Sequence, residues 1–395
     1  MSAARLALSN LLHDRKRSAV CVAGTAFAAL LLFMQLGFLG AVTATATMLF
    51  DRLKFDILLT SSEYLDFTNP GSVARSRLAT AAAVPGVAAA RPLAVAPAAW
   101  RNPTADPARG RRRWPLTVLG VDPAGLPATF GPTAAGVFAD PAEQAQAGRE
   151  LARTGAVFLD RKARRDFGDP RAMPPGTRTA VNATPVELID YFELGTGFSY
   201  AGLLLASEET FAAVTGVPPD RVAFGLVTLD PAADPAATLA ALRRTLPRDV
   251  RAVPRAEALA GEVEFWVNQT AVGTLFRAGA ALALVVGAVF VYQMITADIR
   301  KRLPEYATLT AVGYPFGFLA RVVLWQATLI AGAGYLFGAA VAVGLYELTR
   351  QAAQLPMALT PGILLRVLAL TVGMCGASGL LAVRVVRAAD PADLF

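Results

Sequence analysis

From Ser18 to Phe50 the chain runs for 33 consecutive positions without a charged residue. As a helix rising 1.5 Å per residue, this stretch is about 50 Å long against a hydrocarbon core of about 30 Å, so it predicts a membrane-crossing helix whose end projects as a stalk. A secretory signal with Ala44-Thr45-Ala46 as its cleavage box is the alternative, but the run is more than twice the length of a normal signal core, so no cleavage is expected. Three more apolar runs follow much later, at Ala278–Ala297, Val322–Tyr346 and Pro361–Val386. The last holds only 17 uncharged residues between Arg366 and Arg384, so both arginines are expected to reach toward headgroups. The expectation is a membrane protein with four transmembrane helices, one and then three.

Between the first and second spans, residues 51–254 change character. Proline, glycine and charge recur throughout. Short apolar runs bounded by turn residues, Trp114–Val121, Ala156–Leu159 and Gly202–Leu205, read as strands. Ala223–Asp230 reads as another strand, Asp234–Leu246 as a helix with Pro235 near its start, and Val250–Val253 as a strand after Pro247. This alternation predicts an α+β domain of roughly 200 residues, in one lobe or two. Residues 255–297 then read as one continuous stalk and second span, with Leu259, Val263, Trp266 and Thr270 spaced as on one helical face.

Arginine and lysine fix an expected orientation. Arg5, Arg15, Lys16, Arg17, Arg300, Lys301, Arg302, Arg321, Arg384 and Arg387 flank the spans on one side, but only Arg52, Lys54, Arg277, Arg350 and Arg366 on the other. The richer side is cytoplasmic by the positive-inside rule, which makes the large domain and the 347–360 loop extracytoplasmic. Residues 1–17, with Leu6, Leu8, Leu11 and Leu12 beside the basic cluster, read as a surface helix, and residues 387–395 as a cytoplasmic tail.

The cytoplasmic segment 298–321 spans 24 residues, where packed helices usually need about 2 to 8. Its interior predicts a short helix: Pro304 suits the first helical position, Glu305 complements the positive end of the dipole, and Gly313 offers a left-handed stop before Tyr314. Tyr306 and Leu309 share a face of that helix. A partner protein could cover the face, or it could lie among lipid headgroups.

Catalytic groups are scarce. None of the four lysines follows a glycine, so a phosphate-cradling loop ending in Gly-Lys is excluded. His13 is the only histidine, which removes histidine-based nucleophile systems and histidine-containing zinc sites. Cys21 and Cys375 sit inside apolar runs as small core residues. The arginines of 109–113 lie beside Trp114 in the external domain, where a solvated strand entry or an acidic partner surface is the sensible reading and nucleic acid is not. Within the spans, Gly279, Ala283 and Gly287, then Gly334 and Gly338, then Ala369, Gly373 and Ala377 form small faces suited to close helix packing, and Gln35, Gln293 and Gln326 suggest interhelical hydrogen bonds.

The layout and several stretches resemble the DevC family of permease subunits within the MacB-type, FtsX-like ABC exporters. The likeness is strongest in LLFMQLGF at Leu31–Phe38, VYQMITADI at Val291–Ile299, LPEYATLTAVGY at Leu303–Tyr314, GLYELTR at Gly344–Arg350 and the terminal RAADPADLF. The resemblance implies an inner-membrane homodimer that binds no cofactor itself. ATP and magnesium would sit on a partner ABC ATPase, and a periplasmic membrane-fusion adaptor and an outer-membrane channel would complete an export path for an amphiphile such as a glycolipid. It also implies that Leu303, Pro304, Glu305, Tyr306, Leu309, Gly313 and Tyr314 form the element that couples to the ATPase. Its rivals are an FtsX-like regulator of a periplasmic hydrolase, a lipoprotein-releasing permease and an extracytoplasmic sensor.

Overall fold

The computed structural model describes residues 2–105, 113–131, 137–138, 140–301, 308 and 312–388. The chain divides into two units, a helical one of residues 1–41, 271–353 and 357–395, and an α/β one of residues 42–270 and 354–356.

In the helical unit, helix α1 (Ala3–His13) turns at Asp14 into α2 (Arg15–Arg52), whose C-terminal part belongs to the α/β unit. Among the described residues four helices are long and apolar enough to cross a membrane, and α2 is the first of them. The α/β unit is inserted between the first and second of these.

Its strands are β1 (Ile57–Ser61), β2 (Val73–Ala74), β3 (Val87–Arg101), β4 (Arg113–Val121), β5 (Ala156–Asp160), β6 (Thr177–Val181), β7 (Thr184–Phe192), β8 (Leu203–Ser207), β9 (Arg221–Val222), β10 (Phe224–Leu229) and β11 (Val250–Pro254). The helices among them are α3 (Arg75–Ala82), α4 (Leu126–Thr129), α5 (Pro141–Leu151), α6 (Glu208–Thr215), α7 (Pro235–Thr245) and α8 (Arg255–Glu264). Nine strands form one mixed sheet in the order β11-β1-β10-β3-β4-β8-β5-β7-β6, and β2 pairs with β9 apart from it. Strand β3 is the pivot. Its first half pairs with β10 and its second half with β4, and Trp100 at its end also meets Val181 of β6, curling that half of the sheet back on itself. Two lobes therefore share one strand.

Local chemistry places the helices. Asp140 and Asp234 each cap a helix that opens on proline, accepting from the Glu143 and Ala236 N–H groups, and Ser207 caps α6 through the Thr210 N–H. Asn182 and Ala183, both at positive φ, make the two-residue turn between β6 and β7. The main core gathers Phe50, Phe67, Phe130 and Phe224 under the sheet, and Trp100 is fully buried, donating its indole N–H to the Phe167 carbonyl at 2.8 Å.

The remaining helices of the first unit are α9 (Ala271–Lys301), α10 (Phe316–Ala353) and α11 (Pro361–Ala388). The continuous stalk expected over 255–297 is broken. After α8 comes a π-helical turn, Phe265–Gln269, and then Thr270 with an extended backbone at φ −93° and ψ 155°. Thr270 gives its hydroxyl to the Trp266 carbonyl and its N–H to the Phe265 carbonyl, a local alternative to the helical ladder that periodicity cannot register. The helices on either side of residue 308 also run further than the apolar runs did. Helix α9 is described as far as Lys301 and α10 begins at Phe316, so both ends of the segment expected over 298–321 are helix. Likewise α10 continues to Ala353, so the first half of the loop expected over 347–360 is helix. Helices persist beyond their apolar stretch because polar turns at their ends cost little once the ladder is built.

Candidate functional site

The end of the bundle that carries residues 302–315 is organised by charge. Arg17 at the start of α2 faces Asp298 on α9 with Nε 3.7 Å from Oδ1, and Lys301 Nζ lies 3.3 Å from Asp14 Oδ2 at the bend before α2. The hydrogen bond from Lys301 holds the Asp14 carboxyl below its usual range. Ser18 closes the bend by donating to the Leu11 carbonyl at 2.8 Å. Helix α1 lies against α10, with Ala7 fully buried in a cluster that includes Phe318, Val322 and Val323. Two ion pairs thus tie the first span and its leading bend to the last turn of the second, next to the connection.

Of the residues expected to couple to an ATPase, Leu303, Pro304, Glu305, Tyr306 and Leu309 lie outside the described residues. Gly313 has φ +101°, a conformation that suits glycine, and the Val312 N–H just before it donates to the Thr308 carbonyl at 3.0 Å. Tyr314 stacks at a tilt on Phe318, ring centroids 4.9 Å apart, so the chain re-enters the bundle on an aromatic contact.

A second constellation lies in the α/β unit, at the C-terminal end of α2. Arg255, the first residue of α8, donates from Nη2 to the Phe50 carbonyl and from Nη1 to the Leu53 carbonyl, each at 2.8 Å. Its guanidinium stands 4.6 Å from the centre of the Phe55 ring, and its N–H donates to the Asp56 carbonyl at 2.9 Å. A cation on the last carbonyls of a helix satisfies orphan acceptors and meets the negative end of the dipole. Two turns later Glu262, only 1% exposed, accepts from the Tyr64 hydroxyl and, at 3.4 Å, from the Phe67 N–H. Burial pushes this carboxyl up to about 8, against the pull of the Phe67 N–H. Helix α8 is therefore bonded to the end of α2 and to the segment after β1. Sequence reasoning used Arg255 only as a boundary and passed over Glu262. A charged residue inside an otherwise amphipathic face was the one signal available.

The expected packing residues divide. A Cβ on Gly279 would fall 2.6 Å from the Gln35 amide, one on Gly287 2.7 Å from Ala28 Cβ, one on Gly334 2.6 Å from Thr25, and one on Gly338 2.8 Å from the Ala26 carbonyl oxygen. These glycines let α2 approach α9 and α10. Gly373 is different: a Cβ there would meet nothing within 4 Å, and Ala369 and Ala377 are exposed beside it. Helix α11 packs through Val367, Thr371, Cys375 and Ser378 instead, with Ser378 donating to the Ala288 carbonyl at 2.8 Å. Gln293 is exposed, and Gln326 is buried with its Nε2 unpartnered among the described residues, so neither makes the interhelical bond expected of it by default.

Residues 277–391 match the family described as FtsX-like permease C-terminal. No curated protein matches the chain. The extracellular domain of the noncanonic ABC-type transporter YknZ from Gram-positive bacteria aligns at 15% identity and a TM-score of 0.34, covering 50% of this chain and 98% of that one. The periplasmic region of MacB from Actinobacillus actinomycetemcomitans aligns at 11% identity and a TM-score of 0.35, covering 51% and 90%. The family likeness thus lies in residues 277–391, which hold the last three of the four apolar helices and not the first. The protein is a multi-pass membrane protein, with an α/β domain between its first and second spans.

Proposed function

We propose that this chain is the inner-membrane permease subunit of an ABC exporter and works as a mechanical transmitter. ATP and magnesium belong to a separate ATPase subunit, which seats on the segment 303–314 at the cytoplasmic face. Two copies of the chain form the unit, a periplasmic membrane-fusion adaptor and an outer-membrane channel continue the path, and the cargo is an amphiphile, a glycolipid as in the DevC systems.

The observation that carries this reading is the way α2 is fastened. Arg17–Asp298 and Asp14–Lys301 tie its start to the helix that enters the segment 302–315, and Arg255 holds its far end to the α/β unit. A displacement of that segment can therefore be delivered to a helix whose other end is bonded into the inserted domain. The absence of charged residues from the middle of the spans supports transmission over conduction, since an aqueous path through the bilayer would usually show some.

The test is cargo-stimulated ATPase activity in the assembled complex. Replacing Tyr306 and Leu309 by arginine is expected to abolish stimulation while membrane insertion stays normal. Stimulation equal to that of the unmodified chain would remove the coupling role.

A further inference from the structure

Along one side of the helical unit runs an open groove of about 700 Å³ between α2 and α10, with the end of α1 at its mouth. Small residues, Ala19, Ala23 and Gly338, line it together with Phe27 and Phe337, which are 59% and 64% exposed. The lining is apolar except at one end, where Arg15 and Ser18 stand. From Ser18 to Leu30 the groove follows twelve helical steps, about 18 Å, close to one leaflet of a hydrocarbon core about 30 Å thick.

The charges at that end are not equivalent. Arg17 is engaged by Asp298 and Lys301 by Asp14, whereas Arg15 has no ion-pair partner among the described residues. A groove one leaflet deep, apolar along its length and cationic at headgroup level, has the polarity of an anionic phospholipid. We propose that it is a binding site for one such lipid, an acyl chain lying between Phe27 and Phe337 and the headgroup phosphate on Arg15. A second copy of this chain fits less well. Placed parallel in the same membrane, it would bring its own Arg15, Lys16, Arg300 and Lys301 to the same level, so like charges would meet at the mouth. The site owes nothing to ATPase coupling and stands or falls separately from it.

The full chain, purified in mild detergent, is to be titrated with dioleoyl phosphatidylglycerol and, separately, dioleoyl phosphatidylcholine, and the retained lipid read by native mass spectrometry alongside the thermal midpoint. The unmodified chain is expected to retain phosphatidylglycerol in preference and to melt higher with it. Arg15→Gln should lower phosphatidylglycerol retention about fivefold, the worth of one basic residue at an anionic surface, and abolish the preference. Ala23→Phe, which fills an exposed part of the groove, should reduce retention of both lipids. Arg149→Gln, at an exposed position on helix α5 of the α/β unit, should leave retention unchanged. Equal retention of the two lipids by the unmodified chain, equal losses in Arg15→Gln and Arg149→Gln, or full retention in Ala23→Phe would overturn the assignment. So would conversion of a dimer to a monomer by Ala23→Phe, which would make the groove a subunit contact.

Discussion

Helix α2 is fastened differently at its two ends. At its start the ties are side chain to side chain, Arg17–Asp298 and Asp14–Lys301, and water reaches both: the Arg17 and Asp298 side chains are each 23% exposed. At its finish the tie is side chain to backbone. Arg255 donates to the carbonyls of Phe50, in the last turn of α2, and Leu53, just beyond it, and lies over an aromatic ring, and the same helix α8 carries a buried carboxyl bonded to a phenol and a backbone N–H. The first kind of tie is screened, salt-sensitive and easily exchanged; the second is shielded and fixed in direction. Under the transmitter role proposed above, this order would place the exchangeable ties beside the segment 302–315 and the shielded one at the end of α2 that belongs to the α/β unit.

The contrast is open to direct attack, first at its firmest point. Arg255→Ala should destabilise the α/β unit by about 2–4 kcal/mol, because two carbonyls lose a charged donor. Arg255→Lys should recover less than half of that, since an ammonium cannot fork to both. Hydrogen exchange over residues 49–56 of the full chain should rise sharply in both variants; protection equal to the unmodified chain in Arg255→Ala would dissolve the distinction between the ends.

The buried carboxyl gives a smaller, pH-dependent effect. Its pKa is raised from 4.5 to about 8, so between those values the folded chain keeps a proton that the unfolded chain has released. The contribution is complete below about pH 4.5 and is lost as pH rises through about 8. Glu262→Gln should flatten this dependence and leave the variant more stable than the unmodified chain at pH 8, by ~2 kcal/mol. Identical pH profiles of thermal unfolding for the two would show that Glu262 is not held neutral.

The smallest effect belongs to the other end. A double-mutant cycle on Arg17 and Asp298 should give a coupling of about 0.2–1 kcal/mol that shrinks as salt is raised. A larger coupling, indifferent to salt, would make the two fastenings alike and remove the asymmetry.

Much of this architecture is legible in the order of residues because it is local. Thirty-three positions without charge predict α2 almost to its ends, and the proline starts at Pro141 and Pro235 follow capping aspartates. The packing glycines are legible only in part. Gly279, Gly287, Gly334 and Gly338 meet neighbours, but Gly373 has the same spacing and none, because spacing defines a face without saying which way it turns. The break at Thr270 escaped periodicity for a related reason: its side chain competes with the helix through hydrogen bonds that leave the hydrophobic pattern untouched.

By itself, then, the amino-acid order determined the number of spans, the inserted domain and its alternation of strand and helix, all consequences of forces acting within a few turns of chain. Only the tertiary structure decided that Arg255 would cap a helix ending some 200 positions earlier, that Glu262 would lose its water, and that β3 would serve two lobes. Those outcomes depend on which distant backbone groups are left without partners when the chain closes, and no local pattern records that.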